Sequence, residues 1–327
     1  MKRLVVHIGY PKTATTTLQV NVFEELYKRG EIEYLNHIGN SNGNVGKIIY
    51  KNTFDYIVGI ADKLDINELK NIREIKNKIT ILSNESISHV SKKSPTASYK
   101  IGSLDNIKKI HEVFSPYFED IQIIMTIRAQ KSIIPSYYTQ EYFNILQDVT
   151  KLNDIGKWID ENFNYSIDDN LLIFNYLSMY KEVSKYFKQS HIHVLIYEDL
   201  KNNKVNFFKD LSKIIGFNSR DLQLMFDEKP QNVTLLDNKG LKVTDIQNLR
   251  TILTVIALKY NVPKPIRIFF KNILPSVFLN KQTKVKKEIR ELTKNEIEFI
   301  YNRFKNINIE LFNILGKDIN IMKKYGY

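Results

Sequence analysis

The chain has 327 residues and no Cys, with 48 Lys and Arg against 36 Asp and Glu, a formal charge of +12. That length fits one large α/β domain, or one domain with an appended helical region, and excludes a small scaffold that needs staples. Without Cys there is no disulfide, no Cys-ligated zinc and no thiol catalysis, so the chemistry runs on oxygen and nitrogen groups.

The opening run "RLVVHIGY" is short, apolar and β-branched and ends at Gly9 and Pro11, which predicts a buried strand. It is too short for a signal segment, and no small-residue cleavage site follows it. From Thr15 the period becomes helical, with Leu18, Val22 and Leu26 four apart and Gly30 as a stop. Such a strand-loop-helix unit turns backbone N–H groups toward an anion. In the loop between, Lys12 supplies a point charge, and Thr13, Thr15, Thr16 and Thr17 supply hydroxyls. The mononucleotide loop GxxxxGK(S/T) sets its Lys after a second Gly, whereas Lys12 follows Gly9, Tyr10 and Pro11 directly and Ala14 stands where another Gly would be expected. The plain alternative is a Thr-capped helix beside a surface Lys.

Residues 31–75 are mixed, with "IGNSNGNVG" reading as a surface loop. Then "ITILS" predicts a second strand, ending at Asn84 and Glu85, and "IQIIMTI" a third, ending at Arg128. The next helix is predicted to take Ser132 as N-cap, with Pro135 in the first turn. The only Trp, Trp158, reads as a core anchor, while "SYYTQEYF" suits either core packing or an acceptor pocket. A fourth strand, "HIHVLIY", ends at Glu198 and Asp199, and its helix carries Val205, Phe208, Leu211 and Ile215 before Gly216. The alternation predicts an α/β fold with a P-loop-like parallel sheet flanked by helices. Ligands bind such sheets at the carboxyl ends of the strands, so Pro11–Thr17, Asn84–Glu85, Arg128 and Glu198–Asp199 are expected on one edge.

Beyond residue 238 the strand signal fades. The expected organisation is an α/β core over 1–238 and a mainly helical, basic region over 239–327 packed on it. Lys239 to Arg290 holds 12 Lys and Arg against Asp245 and Glu288, a net +10. Such a surface attracts anionic lipid, nucleic acid or an acidic substrate, and a solvated face is the bland alternative. No apolar run approaches the ~20 residues that cross a bilayer, so a soluble protein is expected.

Taken together, the motifs resemble the sulfotransferases that use 3′-phosphoadenosine-5′-phosphosulfate (PAPS). "GYPKTATTTLQ" is similar to the family's 5′-phosphosulfate loop, commonly PKSGTT or PKTGTT, and "RAQKSIIPSYY" to its 3′-phosphate element, an Arg followed eight residues later by Ser. "ILSNESIS" resembles the strand-end "SSE-x-LS" of bacterial, glycan-type members, and "VLIYEDL" another family stretch. The resemblance covers roughly residues 4–235. It implies that Pro11, Lys12, Thr13, Ala14, Thr15, Thr16 and Thr17 hold the 5′-phosphosulfate, that Arg128 and Ser136 hold the 3′-phosphate, and that Asn232 is a polar cofactor contact. Ala14 departs from the family's Gly and is tolerated unless the position requires a positive φ. A late RxGxxGxWK-like stretch of the cytosolic branch is missing, which points away from phenol and steroid acceptors.

The implied reaction moves a sulfuryl group from PAPS to a hydroxyl, leaving 3′-phosphoadenosine-5′-phosphate (PAP). It needs less charge neutralisation than phosphoryl transfer, so Lys12 and helix N–H groups serve and no metal is expected. Glu85, following the second strand, is the candidate base, with His89 in reserve; a helix-start carboxylate is the structural alternative for Glu85. His7, on a buried strand, reads as structural. The expected acceptor is a carbohydrate or glycan, anionic or lipid-linked, met in the cytoplasm or at its membrane surface, and nucleic acid is not expected. A P-loop kinase using ATP and magnesium, or a noncatalytic nucleotide- or glycan-binding protein of the same fold, are the alternatives.

Overall fold

The computed structural model describes residues 2–35, 50–59, 61–75, 79–88, 103–148, 154–163, 174–227, 241–248, 262, 282–289 and 291–327. Contacts divide the chain into two units: Met1–Gln130 with Ile167–Asn232 and Phe304–Tyr327, and Lys131–Ser166 with Val233–Arg303. Within the first unit, long-range hydrogen bonds from Tyr325 and Tyr327 tie the C-terminal segment to Asp199 and Glu198.

The first unit is built on a five-stranded sheet of β1 (Arg3–Gly9), β2 (Glu33–Tyr34), β3 (Ile79–Ser83), β4 (Asp120–Ile127) and β5 (Ile192–Ile196), in the order β2-β3-β1-β4-β5. All pairings are parallel, with β1 in register from Arg3↔Ile79 to His7↔Ser83 on one side and from Arg3↔Asp120 to Gly9↔Thr126 on the other. The four strands read from the sequence are present. β2 adds a fifth that two residues cannot announce by alternation.

After β1 the chain forms a helical run made of α1 (Thr15–Thr17), a π-helical stretch Leu18–Phe23 and α2 (Glu24–Lys28). Leu18, Val22, Phe23 and Leu26 of this run are buried, as their spacing predicts. The π-helical stretch is a departure from the regular helix expected. It turns polar residues inward, where the Gln19 amide donates to Ser83 and the Asn21 amide to the Phe226 carbonyl.

The run packs with α10 (Lys204–Ile215) and α11 (Ser219–Asp227) in one apolar cluster that includes Val5, Ile81, Ile124, Phe208 and Met225. Leu4, Val6 and Ile8 alternate to the opposite face and are also fully buried. The sheet is therefore covered on both faces. Between β3 and β4 runs α5 (Ser103–Phe114), and around β5 lie α8 (Tyr176–Tyr186) and α9 (Tyr197–Asn202), with α3 (Lys51–Ile57) and α4 (Ile66–Glu74) preceding β3.

In the second unit, α6 (Gln130–Asp148) starts at the boundary and is followed by α7 (Ile155–Phe163). Ser132 is not its N-cap: α6 begins two residues earlier and carries Pro135 inside it. The start is fixed by Gln130, whose amide donates to the Phe174 carbonyl and exchanges hydrogen bonds with Asn308. Trp158 is buried against Tyr137 and Tyr138, as expected of an anchor.

Where the sequence carries little strand signal, the chain forms an antiparallel pair, β6 (Leu241–Asn248) and β7 (Gln282–Ile289), in register from Leu241↔Ile289 to Asn248↔Gln282. Its frequent Lys dilutes the apolar alternation that marks a strand. The helices α12 (Lys294–Ile314) and α13 (Ile319–Tyr325) complete the chain.

Candidate active site

The parallel order puts the ends of β3, β1 and β4 side by side, with β1 in the middle. The sequence clusters at Glu85, Lys12 and Arg128 thus share one sheet edge in that order.

The loop after β1 is held by its own backbone and hydroxyls. The Tyr10 carbonyl accepts from the Thr13 N–H at 3.3 Å, the Thr13 hydroxyl at 2.7 Å and the Thr15 hydroxyl at 3.2 Å. Thr13 and Thr15 are buried and their hydroxyls lie 3.2 Å apart, so both side chains shape the loop from inside. Thr17 is buried too, whereas Lys12, Ala14 and Thr16 are half-buried.

Two residues of this loop, Lys12 at φ 67° and Ala14 at φ 63°, take the left-handed conformation that side-chain-bearing residues avoid. Backbone strain of this kind costs of order ~1–3 kcal/mol per residue and persists where the surroundings impose it. Ala14 meets the one condition under which replacing Gly matters. Gly9, by contrast, is required by proximity: a Cβ there would lie 2.2 Å from the Thr15 Oγ1 and 2.6 Å from its Cγ2.

Beneath the loop, His7 joins three strands. Its Nδ1 pairs with the Ser83 hydroxyl at 2.8 Å and its Nε2 with the Thr126 hydroxyl at 3.0 Å, and Phe23 packs edge-on to its ring. Complete burial lowers its pKa to about 4, so it is a neutral structural group, as the sequence indicated.

Glu85 opens a single 3₁₀ turn, Glu85–Ile87, capped by the Asn84 side chain, which accepts from the Ser86 N–H at 2.8 Å. The turn is tied to β1 by Ser88, whose hydroxyl reaches the Gly9 carbonyl at 3.2 Å and the Glu85 carbonyl at 3.0 Å. Glu85 is half-buried.

At the end of β4, Arg128 donates from Nη1 to the Lys12 carbonyl at 2.8 Å, and its guanidinium lies 4.6 Å from the centre of the Tyr197 ring. The Arg is thereby joined to the loop it flanks. A planar fork with five N–H donors suits a phosphate. Its own carbonyl accepts from the Tyr176 hydroxyl at 2.6 Å, and the Tyr176 ring stands edge-on to Tyr10 at 4.8 Å. Tyr176 and Tyr10 are fully buried, which pushes both phenol pKa values up.

Ser136 is half-buried on α6 in the second unit. His89 and Asn232 lie outside the described residues. Sequence reasoning missed Gln19, Ser83 and Tyr176 as supports of the edge, since no local spacing links them to it.

The model of the sulfotransferase domain family matches residues 2–257. A comparison with curated proteins gives no match. Among solved structures, a sulfotransferase from Alicyclobacillus acidocaldarius is 10% identical with a TM-score of 0.40, over 80% of this chain and 96% of that one. Mouse sulfotransferase SULT7A1, complexed with PAP, is 11% identical with a TM-score of 0.43, over 94% of this chain and 83% of that one. The sulfotransferase domain of the Synechococcus PCC 7002 olefin synthase is 9% identical with a TM-score of 0.39, over 80% of this chain and 96% of that one.

Proposed function

The chain belongs to the sulfotransferase family and moves a sulfuryl group to a hydroxyl-bearing acceptor, and we propose that its donor is PAPS and its acceptor a carbohydrate or glycan. The observation that carries the donor reading is the left-handed backbone at Lys12 and Ala14, joined to Arg128 through the Lys12 carbonyl. Backbone turned in this way gathers N–H groups around an anion, and the Arg beside it suits a second phosphate. A nucleotide with phosphates at its 5′ and 3′ positions fits both.

When bound, PAPS supplies an activated sulfuryl group. Pro11 to Thr17 hold the 5′ end, with Lys12 balancing charge on the departing phosphate oxygen. The loop backbone and the start of the helical run do most of this work, because the Thr13 and Thr15 hydroxyls are engaged with Tyr10. Arg128 binds the 3′-phosphate, a role that the sequence resemblance also gives to Ser136. Glu85 accepts the acceptor's proton, with His89 in reserve. An in-line displacement needs the acceptor oxygen and the departing 5′-phosphate oxygen on opposite sides of the sulfur, and the strand order β3-β1-β4 supports this reading by setting Glu85 next to the loop proposed for that phosphate.

The glycan reading rests on the resemblance of "ILSNESIS" to glycan-type members, and on the net +10 of Lys239–Arg290 for an anionic or lipid-linked acceptor. Among the described residues no helix is long and apolar enough to cross a membrane. The proposed location is the cytoplasm, including its membrane surface.

Titration calorimetry with PAP against ATP and magnesium tests the donor. Lys12→Ala and Arg128→Ala should each weaken PAP binding, and unchanged affinity in both removes the assignment. Turnover of labelled PAPS with a panel of glycans separates an enzyme from a binder. Charge reversal at Lys284, Lys286 and Lys287 should raise the acceptor KM while leaving PAP affinity unchanged. Added salt should act on KM the same way, because attraction is screened over ~8 Å at physiological ionic strength. An unchanged acceptor KM would identify the segment as solvated surface and the acceptor as neutral.

A further inference from the structure

β4 ends at Ile127, and the peptide that joins Arg128 to Ala129 is held at both of its polar groups. Its carbonyl accepts from the Tyr176 hydroxyl at 2.6 Å, and its N–H, that of Ala129, donates to Glu198 Oε1 at 3.0 Å. These two side chains come from 48 and 69 residues away. The other Glu198 oxygen accepts from the Tyr327 hydroxyl at 2.8 Å, and beside it Tyr325 donates to Asp199 at 2.7 Å.

Tyr327 is 1% exposed, with its ring 5.4 Å from that of Phe312. Burial and the adjacent Glu198 carboxylate push its phenol pKa well above the ordinary value, so it remains a donor. The result is a chain of contacts from Tyr327, two residues past the end of α13, to Glu198, to the peptide of Arg128, and through the guanidinium to the Lys12 carbonyl. A peptide whose carbonyl and N–H are both bonded cannot swing without breaking one of them. The Cα of Arg128 is carried by that peptide.

We propose that Tyr327, Glu198 and Tyr176 are positioning residues that fix the Arg128 peptide, so that its guanidinium is preorganised for the 3′-phosphate of the nucleotide. This rests on the proposed assignment of Arg128 to that phosphate. The C-terminal segment thus governs discrimination between nucleotides with and without a 3′-phosphate. Preorganisation gains affinity by removing the cost of ordering the side chain at the moment of binding.

The test compares PAP with adenosine-5′-phosphate by titration calorimetry on the full chain. Tyr327→Phe deletes one hydroxyl and is expected to reduce the preference for PAP by roughly threefold to tenfold, the worth of one hydrogen bond, with adenosine-5′-phosphate affinity unchanged. Glu198→Ala should reduce it at least as far. Glu198→Gln, whose amide oxygen still accepts from the Ala129 N–H, should restore most of it. Parallel loss of both nucleotides, or an unchanged preference in Tyr327→Phe, overturns the proposal, and Tyr327→Phe decides the matter if Glu198→Ala does not fold. A wild-type chain without preference for PAP sinks the Arg128 assignment and this inference together, an outcome recognisable without any variant.

Discussion

The turn after β1 and the turn after β4 stand next to each other on the sheet edge, yet they keep their shapes by opposite means. The first is shaped mainly from within: Tyr10, Thr13 and Thr15 bond among themselves and strain is accepted at Lys12 and Ala14, while Arg128 and Ser88 add bonds from outside to the Lys12 and Gly9 carbonyls. The second is held from afar, by Tyr176 and Glu198 on the peptide that follows Arg128. A local device can be written in a short motif, whereas a remote one leaves no pattern in any window of sequence. The two turns should therefore answer differently to mutation and to pH.

The largest effect is expected at neither turn but at the carboxylate on the β3 side of the edge. Glu85→Gln keeps the shape of the side chain and removes the proton acceptor. Turnover should fall by ~100- to 10,000-fold, the usual worth of general base catalysis, while PAP affinity stays at its wild-type value. A kcat within threefold of wild type at saturating acceptor would dismiss Glu85 as the base.

Next in size is a pH effect seated beneath the β1 turn. His7 has a pKa of about 4 in the folded chain and the ordinary 6.5 when unfolded. Between those values the unfolded state binds more protons, so stability rises with pH. The contribution is fully present above pH ~6.5 and is lost as pH falls toward 4, about 3 kcal/mol in all. His7→Gln should flatten that part of the stability curve, measured by urea unfolding across the range. An unchanged slope would show that His7 is not the group protonated on unfolding.

This contrast also explains what the sequence disclosed. The four long strands, the Lys12 loop and the placement of Glu85 and Arg128 on one edge were legible, since each rests on local period or on strand-end position. The left-handed φ at Ala14 was foreseeable only as a condition, because composition does not report a dihedral angle. Gln130 as the helix start, the Glu198 bond to Ala129 and the Tyr327 bond to Glu198 were not legible, being formed across 44 to 129 residues. The β6–β7 pair was hidden by Asp245 and Lys287, which interrupt the alternation set by Leu241, Val243, Val285 and Ile289.

Smaller effects come from the two ends of the local device. Gly9→Ala inserts a methyl group against the β-branched Thr15, which is itself tied to the Tyr10 carbonyl. Crowding of a packed site costs about 1–3 kcal/mol, so a lower melting temperature and weaker PAP binding should appear together. Wild-type stability in this variant would show that Thr15 is free to move and that the β1 turn is looser than its hydrogen bonds imply.

Ala14→Gly is the mildest change and the sharpest probe of the strain. At φ 63° and ψ 20° an L-residue with a Cβ is disfavoured by ~1–2 kcal/mol, whereas Gly takes the same angles freely. Part of that gain is returned, because Gly raises the entropy of the unfolded chain by ~0.4–1 kcal/mol. A net stabilisation of under about 1 kcal/mol is expected, read as a small rise in the unfolding midpoint. The hydrogen bonds of Thr13 and Thr15 to Tyr10 do not involve the Ala14 side chain, so the turn should persist and PAP affinity stay within about twofold of wild type. Ala14→Val must go the other way, since a β-branched residue is a genuine outlier at positive φ. If Gly and Val leave stability equally unchanged, position 14 is unstrained in solution, and the β1 turn does not store the strain that separates it from the turn after β4.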